Sequence, residues 1–313
     1  MKLHVSRILP DSVMDAARAH FDVTTRDSTQ PMDLDEIRAA LATHDVLLPT
    51  LGDALGAEAF SGEIRAKGLA NFGVGYNHID VAAARAAGLV VTNTPGAVTD
   101  ATADIAMTLI LMTARRAAEG ERLVRAGDWS GWHPTQMLGL HVTGKTLGVI
   151  GMGRIGQAIA HRCHAGFGME VVFYNRSEKE IPGARQLGSV AEVCATADIV
   201  CIALAATPET RHLIAAEALA AIRPHAILVN IARGDIIDEA ALIDALQAGR
   251  IGGAGLDVYE HEPHVPEALR RLDTVTLLPH LGTATLEVRE AMGRMALDNA
   301  IAIAEGRAPP NPV

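Results

Sequence analysis

The sequence predicts an α/β protein made of two doubly wound, mostly parallel sheets, and three observations carry that prediction. Short β-branched runs alternate with alanine-rich helical runs along almost all 313 residues, the pattern that βαβ units leave. The length exceeds that of a usual single domain, so two are expected. One strand-to-helix junction, Gly151-Met152-Gly153-Arg154-Ile155-Gly156, has the glycine spacing of a dinucleotide-binding turn.

In order, the early strand candidates are Lys2–Ile8, Asp45–Pro49, Leu69–Gly73 and Leu89–Thr92, with helical patterns over Ser12–His20, Asp33–Ala42 and Asp80–Ala87 between them. One long helix is expected from about Thr99 to Arg125, after the turn Thr94-Pro95-Gly96, with Thr99 or Asp100 as its cap. Gly127, Gly131, Pro134, Gly139 and Gly144 then mark a loop. Clearer strands follow at Thr146–Ile150, Glu170–Tyr174, Ile199–Leu204, Ala226–Asn230, Gly253–Asp257 and Val275–Leu278. A last helix runs over about Ala284–Gly306, before Pro309 and Pro310.

Composition narrows the partners. Apolar residues make up 49% and charged residues 20%, which suits a globular protein with a sizeable core. A formal charge of −10 repels phosphate, so neither nucleic acid nor an anionic membrane is an expected partner. The start, Met1-Lys2-Leu3-His4-Val5, enters a strand directly with no secretory pattern, and Asp104 and Thr108 interrupt the longest apolar stretch. Cys163, Cys194 and Cys201 form no CxxC pair and read as reduced, buried thiols of a cytoplasmic protein. His161, Cys163 and His164 do not share a helix face, and no metal site is expected.

The glycine turn lies between a strand and the helix-like Gln157–His164, which makes it far more specific than the bare motif. Gly151 suits the tight turn, Gly153 a close approach of backbone to pyrophosphate, and Gly156 close packing of helix on strand. Arg154 and Ile155 open the helix, whose amides face the phosphates. About 20 positions on, where NAD-binding proteins place an acidic residue on the ribose, stand Asn175, Arg176 and Ser177. A carboxylate would repel a 2′-phosphate, whereas an amide, a guanidinium and a hydroxyl can bond one. NADP is therefore the expected cofactor, with NAD use left open.

Three later patches set polar residues at strand ends, where open α/β sheets bind ligands. They are Asn230-Ile231-Ala232-Arg233-Gly234, Asp257-Val258-Tyr259-Glu260-His261-Glu262-Pro263 and Pro279-His280-Leu281-Gly282-Thr283. With the glycine turn, these patches closely resemble the D-isomer-specific 2-hydroxyacid dehydrogenases, and among them the glyoxylate/hydroxypyruvate reductases. The likeness covers nearly the whole length. The stretch from Asn71 to Gly96 is similar to the family's substrate loop, and Trp129 to Pro134 is similar to the reductase subgroup.

The resemblance implies two Rossmann-like domains flanking an active-site cleft: a substrate domain of residues 1–98 plus 287–313, and a cofactor domain of residues 99–286. It implies Arg233 as substrate clamp, Glu262 as orienting carboxylate and His280 as acid/base. The chemistry agrees, since imidazolium gives a proton near neutral pH, a carboxylate stabilises it, and a guanidinium grips a carboxylate or keto oxygen. Amides of Val74 and Gly75 are implied to hold the substrate's carboxylate, with Leu51 lining the pocket. Thr102, Ala205, Pro208, Ile231, Ala232, Asp257, His280 and Gly282 match cofactor contacts; Asp257 reads equally as a carboxamide acceptor or a structural cap. A homodimer is implied, with Trp132 reaching the partner or lying in the core.

The partner chemistry is thus a small 2-oxo or 2-hydroxy acid. Glu262 departs from the glutamine of formate dehydrogenases, and the turn Asn71–Gly75 lacks the lysine of phosphite dehydrogenases. D-lactate, phosphoglycerate and branched 2-oxo acids stay open as substrates. A nucleotide-sensing corepressor of the same fold is the reading from another class, and it does not require all three of Arg233, Glu262 and His280.

Overall fold

Continuous apolar runs form strands buried on both faces, as parallel sheets covered by helices require. A computed structural model describes residues 1–313 and divides them into two units, Met1–Val98 with Thr283–Val313, and Thr99–Gly282.

The first unit holds β1 (Lys2–Val5), β2 (Asp22–Thr25), β3 (Val46–Leu48), β4 (Gly68–Ala70) and β5 (Val90–Thr92). All neighbours pair parallel in the order β2-β1-β3-β4-β5, so the winding reverses between β1 and β3. Ile37, Leu41, Leu47, Leu55 and Leu69 pack one face with no exposed surface. The helix Leu34–Thr43 starts on a reciprocal cap, Asp33 accepting from the Glu36 amide while Glu36 accepts from that of Asp33. Helix Leu286–Ala304 lies close to helix Asp11–His20, because a Cβ at Gly293 would stand only 2.7 Å from Val13.

The second unit holds β6 (Thr146–Ile150), β7 (Glu170–Tyr174), β8 (Ala184–Gln186), β9 (Ile199–Ile202), β10 (Ile227–Asn230), β11 (Gly253–Leu256) and β12 (Val275–Leu277). These seven form one parallel sheet in the order β12-β11-β10-β9-β6-β7-β8. Its winding reverses between β6 and β9, and a ligand crevice is expected beyond the carboxyl ends at such a point. Apolar clusters cover both faces.

The structure corrects the sequence reading in three places. The single long helix is two, Thr99–Ala114 and Ala117–Ala126, with Arg116 left-handed at φ 54° between them. The Leu140 amide takes the Ala114 carbonyl at 2.7 Å, drawing that oxygen away from continued helix. Strands β2 and β8 went unpredicted, because they are short edge strands without buried apolar runs. Trp132 is 79% exposed and Trp129 53% exposed, so neither tryptophan lies in the core of this chain. No helix is long and apolar enough to cross a membrane.

Candidate active site

Strand β6 ends directly in the glycine turn. Gly151 takes φ +101°, and a Cβ there would come within 2.7 Å of the Leu204 amide nitrogen, so only glycine lets the turn lie against the chain leaving β9. A Cβ on Gly156 would sit 2.2 Å from the Gly151 carbonyl oxygen, which explains the third glycine. At Gly153, by contrast, a Cβ would meet nothing within 4 Å. Gly153 caps the helix Arg154–Phe167 with no side-chain hydrogen bond, so the helix opens onto bare backbone. Unsatisfied amides and the positive end of the helix suit a pyrophosphate, and these residues fit a dinucleotide.

The turn after β7 is built by Asn175. Its Oδ1 accepts from the Met152 amide at 3.2 Å, tying it to the glycine turn. Its Nδ2 donates to the Ser177 carbonyl (2.9 Å) and to Ser177 Oγ (3.0 Å). Both ends of the Asn175 amide are thereby engaged with protein, so this side chain shapes the turn. The outward groups are Arg176 and Ser177, both exposed. Ser177 Oγ accepts from Asn175, which leaves its own proton free to donate.

Arg233, Glu262 and His280 follow β10, β11 and β12, and all stand at the carboxyl end of this sheet. His280 Nδ1 lies 2.8 Å from Glu262 Oε2, and the Tyr259 amide donates to Glu262 Oε1 at 3.0 Å. Burial pushes the Glu262 carboxyl up, but the bond to His280, the Tyr259 amide and the nearby charge of Arg233 prevail and hold it below its ordinary value. The half-buried Arg233 guanidinium is shifted down by burial, against the pull of Glu262 and Asp235. His280 is left-handed at φ 56°, a backbone state that a non-glycine residue keeps only when its surroundings impose it.

Asp257 imposes it. Its carbonyl accepts from the His280 amide (2.9 Å), and its carboxylate accepts from the amides of Leu281 (2.6 Å) and Gly282 (2.8 Å). Of the two readings held open for Asp257, the geometry fits the cap: both oxygens are taken and the residue is buried. Burial raises its pKa despite those two amides. Thr102 supports the same segment, its hydroxyl donating to the Gly282 carbonyl at 3.1 Å.

Three residues of these strand-end patches, given no role of their own by the sequence, are positioning residues. Asn230, fully buried at the end of β10, accepts from the Ala232 amide (3.0 Å) and donates to the Arg233 carbonyl (2.8 Å). A polar residue closing the apolar run Ile227-Leu228-Val229 is the signal that marks it. Gly234 lets that turn touch the next loop, since a Cβ would fall 1.8 Å from the Tyr259 carbonyl carbon. The Tyr259 hydroxyl donates to the Leu278 carbonyl at 2.9 Å and so links the Glu262 loop to the His280 loop. Ile231 and Ala232 are buried beside Arg233, while Ala205 and Pro208 lie exposed past the end of β9, where Thr210 bonds the Ala205 carbonyl.

In the other unit, Val74 and Gly75 lie on the loop leaving β4, half-exposed, and neither amide bonds within the protein. Leu51 follows β3, its carbonyl accepting from Arg7 Nη1 at 2.7 Å.

The chain is similar to known proteins over nearly its whole length. A model of the D-isomer specific 2-hydroxyacid dehydrogenase NAD binding domain matches residues 107–282. The chain is 41% identical to a protein of Pyrococcus furiosus named glyoxylate reductase, over 99% of this chain and 94% of that one. It is also 41% identical to a glyoxylate reductase of Thermococcus kodakarensis, over 99% and 95%. Among solved structures, a Thermus thermophilus protein superposes at a TM-score of 0.94 with 41% identity, covering 100% of both chains. An NADPH-dependent glyoxylate/hydroxypyruvate reductase of Sinorhizobium meliloti, in complex with NADP and malonate, gives 0.90 at 34% identity over 100% and 96%.

Proposed function

The chain belongs to the D-isomer specific 2-hydroxyacid dehydrogenase family, and we propose that within it the protein reduces a small 2-oxo acid of the glyoxylate or hydroxypyruvate type, with NADPH preferred. The observation that carries the reading is the 2.8 Å His280–Glu262 pair in the electrostatic neighbourhood of Arg233. When bound, the reduced nicotinamide supplies hydride. His280 supplies the proton: Nδ1 is committed to Glu262, so Nε2 is the atom that gives its proton to the keto oxygen. Glu262, held ionised, stabilises the imidazolium before transfer and fixes the ring. Arg233 offers fixed donors to a substrate carboxylate and a developing oxyanion, and the unbonded amides of Val74 and Gly75 are donors of a kind that suits a carboxylate.

The cofactor preference rests on Arg176 and Ser177, two outward donors where a repelling carboxylate would otherwise stand. The exposed Trp132 fits a homodimer interface, and the three unpaired thiols fit a cytoplasmic setting. The test is kcat/KM for glyoxylate and hydroxypyruvate with each cofactor, repeated for Arg176→Ala. Loss of one charge-assisted contact predicts a fall of about tenfold for NADPH and little change for NADH. A wild-type preference for NADH ends the cofactor assignment. Cofactor binding without turnover of any 2-oxo acid ends the reductase assignment.

A further inference from the structure

The loop after β4 has every carbonyl from Gly73 to Gly75 bonded by an asparagine side chain. Asn71 Nδ2 donates to the carbonyls of Gly73 and Gly75, each at 3.1 Å. Asn93 Nδ2 donates to the Val74 carbonyl between them at 2.9 Å. The backbone of Asn93 is itself fixed: Asn299 Nδ2 donates to its carbonyl (3.2 Å), its amide donates to the Asn311 carbonyl (3.2 Å), and the Asn311 amide donates to Asn299 Oδ1 (3.1 Å).

A trans peptide points its N–H opposite its C=O. Fixing the carbonyls of residues 73, 74 and 75 on asparagine side chains therefore turns the amides of Val74, Gly75 and Tyr76 away from those asparagines, and none of the three bonds within the protein. Gly73, at φ +158°, permits the turn. We propose that Asn71, Asn93 and Asn299 are positioning residues that frame an anion-binding nest of three amides, Val74, Gly75 and Tyr76, for the carboxylate of the substrate. The inference rests on the 2-oxo acid reading above and adds to it the Tyr76 amide and the frame behind it. Asn71 supplies independent support. It is fully buried, and its Oδ1 has no hydrogen-bond partner, so its place is explained by its two donated bonds alone. An aspartate at position 71 or 93 would donate nothing and would set a negative charge behind the nest.

The experiment uses Asn93→Asp and Asn93→Ala in the full chain, with Asn93→Ala standing in should the aspartate variant fail to fold. Glyoxylate kinetics at saturating NADPH are read beside calorimetric binding of oxalate to the NADPH-loaded protein, NADPH affinity and the thermal midpoint. Losing the Val74 tether raises KM for glyoxylate and Kd for oxalate by about tenfold or more, with kcat and NADPH affinity within about twofold. Unchanged KM and oxalate Kd overturn the proposal, as does a loss confined to kcat. Should the wild type reduce no 2-oxo acid, the reductase reading falls separately, and oxalate binding still decides the nest: weakened binding in the variants upholds it, and undiminished or absent wild-type binding overturns it.

Discussion

At the carboxyl end of the seven-stranded sheet the candidate working groups are ionisable side chains, Arg233, Glu262 and His280, each one loop beyond a different strand. At the same end of the five-stranded sheet they are backbone amides of a loop whose carbonyls are bonded by asparagine side chains. Both sheets are parallel, and both reverse their winding within the strand order. What differs is the chemistry that each kind of group can offer. Proton transfer needs a group that titrates, which the backbone lacks. Holding a carboxylate needs only fixed donors, which the backbone has in plenty. The division predicts that substitutions in the two units fail in different ways.

The largest effect is expected at His280. His280→Ala removes the proposed proton donor and should cost on the order of 10²–10⁴ in kcat, the usual weight of general acid catalysis. NADPH affinity should survive, because the glycine turn lies on other loops of the same sheet. Stopped-flow measurement of turnover and fluorescence titration of NADPH separate the two, and a near-normal kcat would erase the distinction between the sheets.

Next comes Gly234. A methyl there would lie 1.8 Å from the backbone of Tyr259, which cannot yield as a flexible side chain does. The Arg233 turn must move, and a displacement of about 1 Å can cost on the order of 10² in rate. Gly234→Ala should therefore lower kcat/KM far more than Gly166→Ala, whose added methyl meets nothing within 4 Å. Equal kinetics in the two variants would show that the Arg233 turn needs no such close support.

The same division governs what the sequence revealed. The parallel α/β architecture was legible because fully buried strands leave continuous apolar runs, and the side-chain site because arginine, glutamate and histidine stand out at strand ends. Edge strands β2 and β8 left no such run. The break at Arg116 depends on a distant carbonyl capture by Leu140, which no local pattern encodes. Asn175 stands where a cofactor contact is expected, and its amide also bonds Met152 and Ser177 within the protein. A side chain's type shows in sequence; whether its donors are free or already engaged emerges only from the fold. The frame of Asn71, Asn93 and Asn299 was invisible for that reason.

The smallest effect is expected at Glu262. Glu262 is held below its ordinary value of 4.5, so it is ionised throughout the neutral range. Its contribution to stability is present above that ordinary value and is lost as pH falls through the lower folded one. Any change in reductive rate between about pH 6 and 9 therefore does not come from protonation of Glu262. Glu262→Gln keeps the shape but removes the anion that stabilises imidazolium. Its kcat should fall by about tenfold at neutral pH with NADPH affinity within about twofold, and acid unfolding below pH 4.5 should lose the part that Glu262 contributes. Asn93→Asp, acting on amides that do not titrate, should instead lower kcat/KM through KM. If Glu262→Gln turns over like the wild type, the 2.8 Å bond to His280 contributes nothing to the rate, and the contrast between a side-chain unit and a backbone unit must rest on His280 alone.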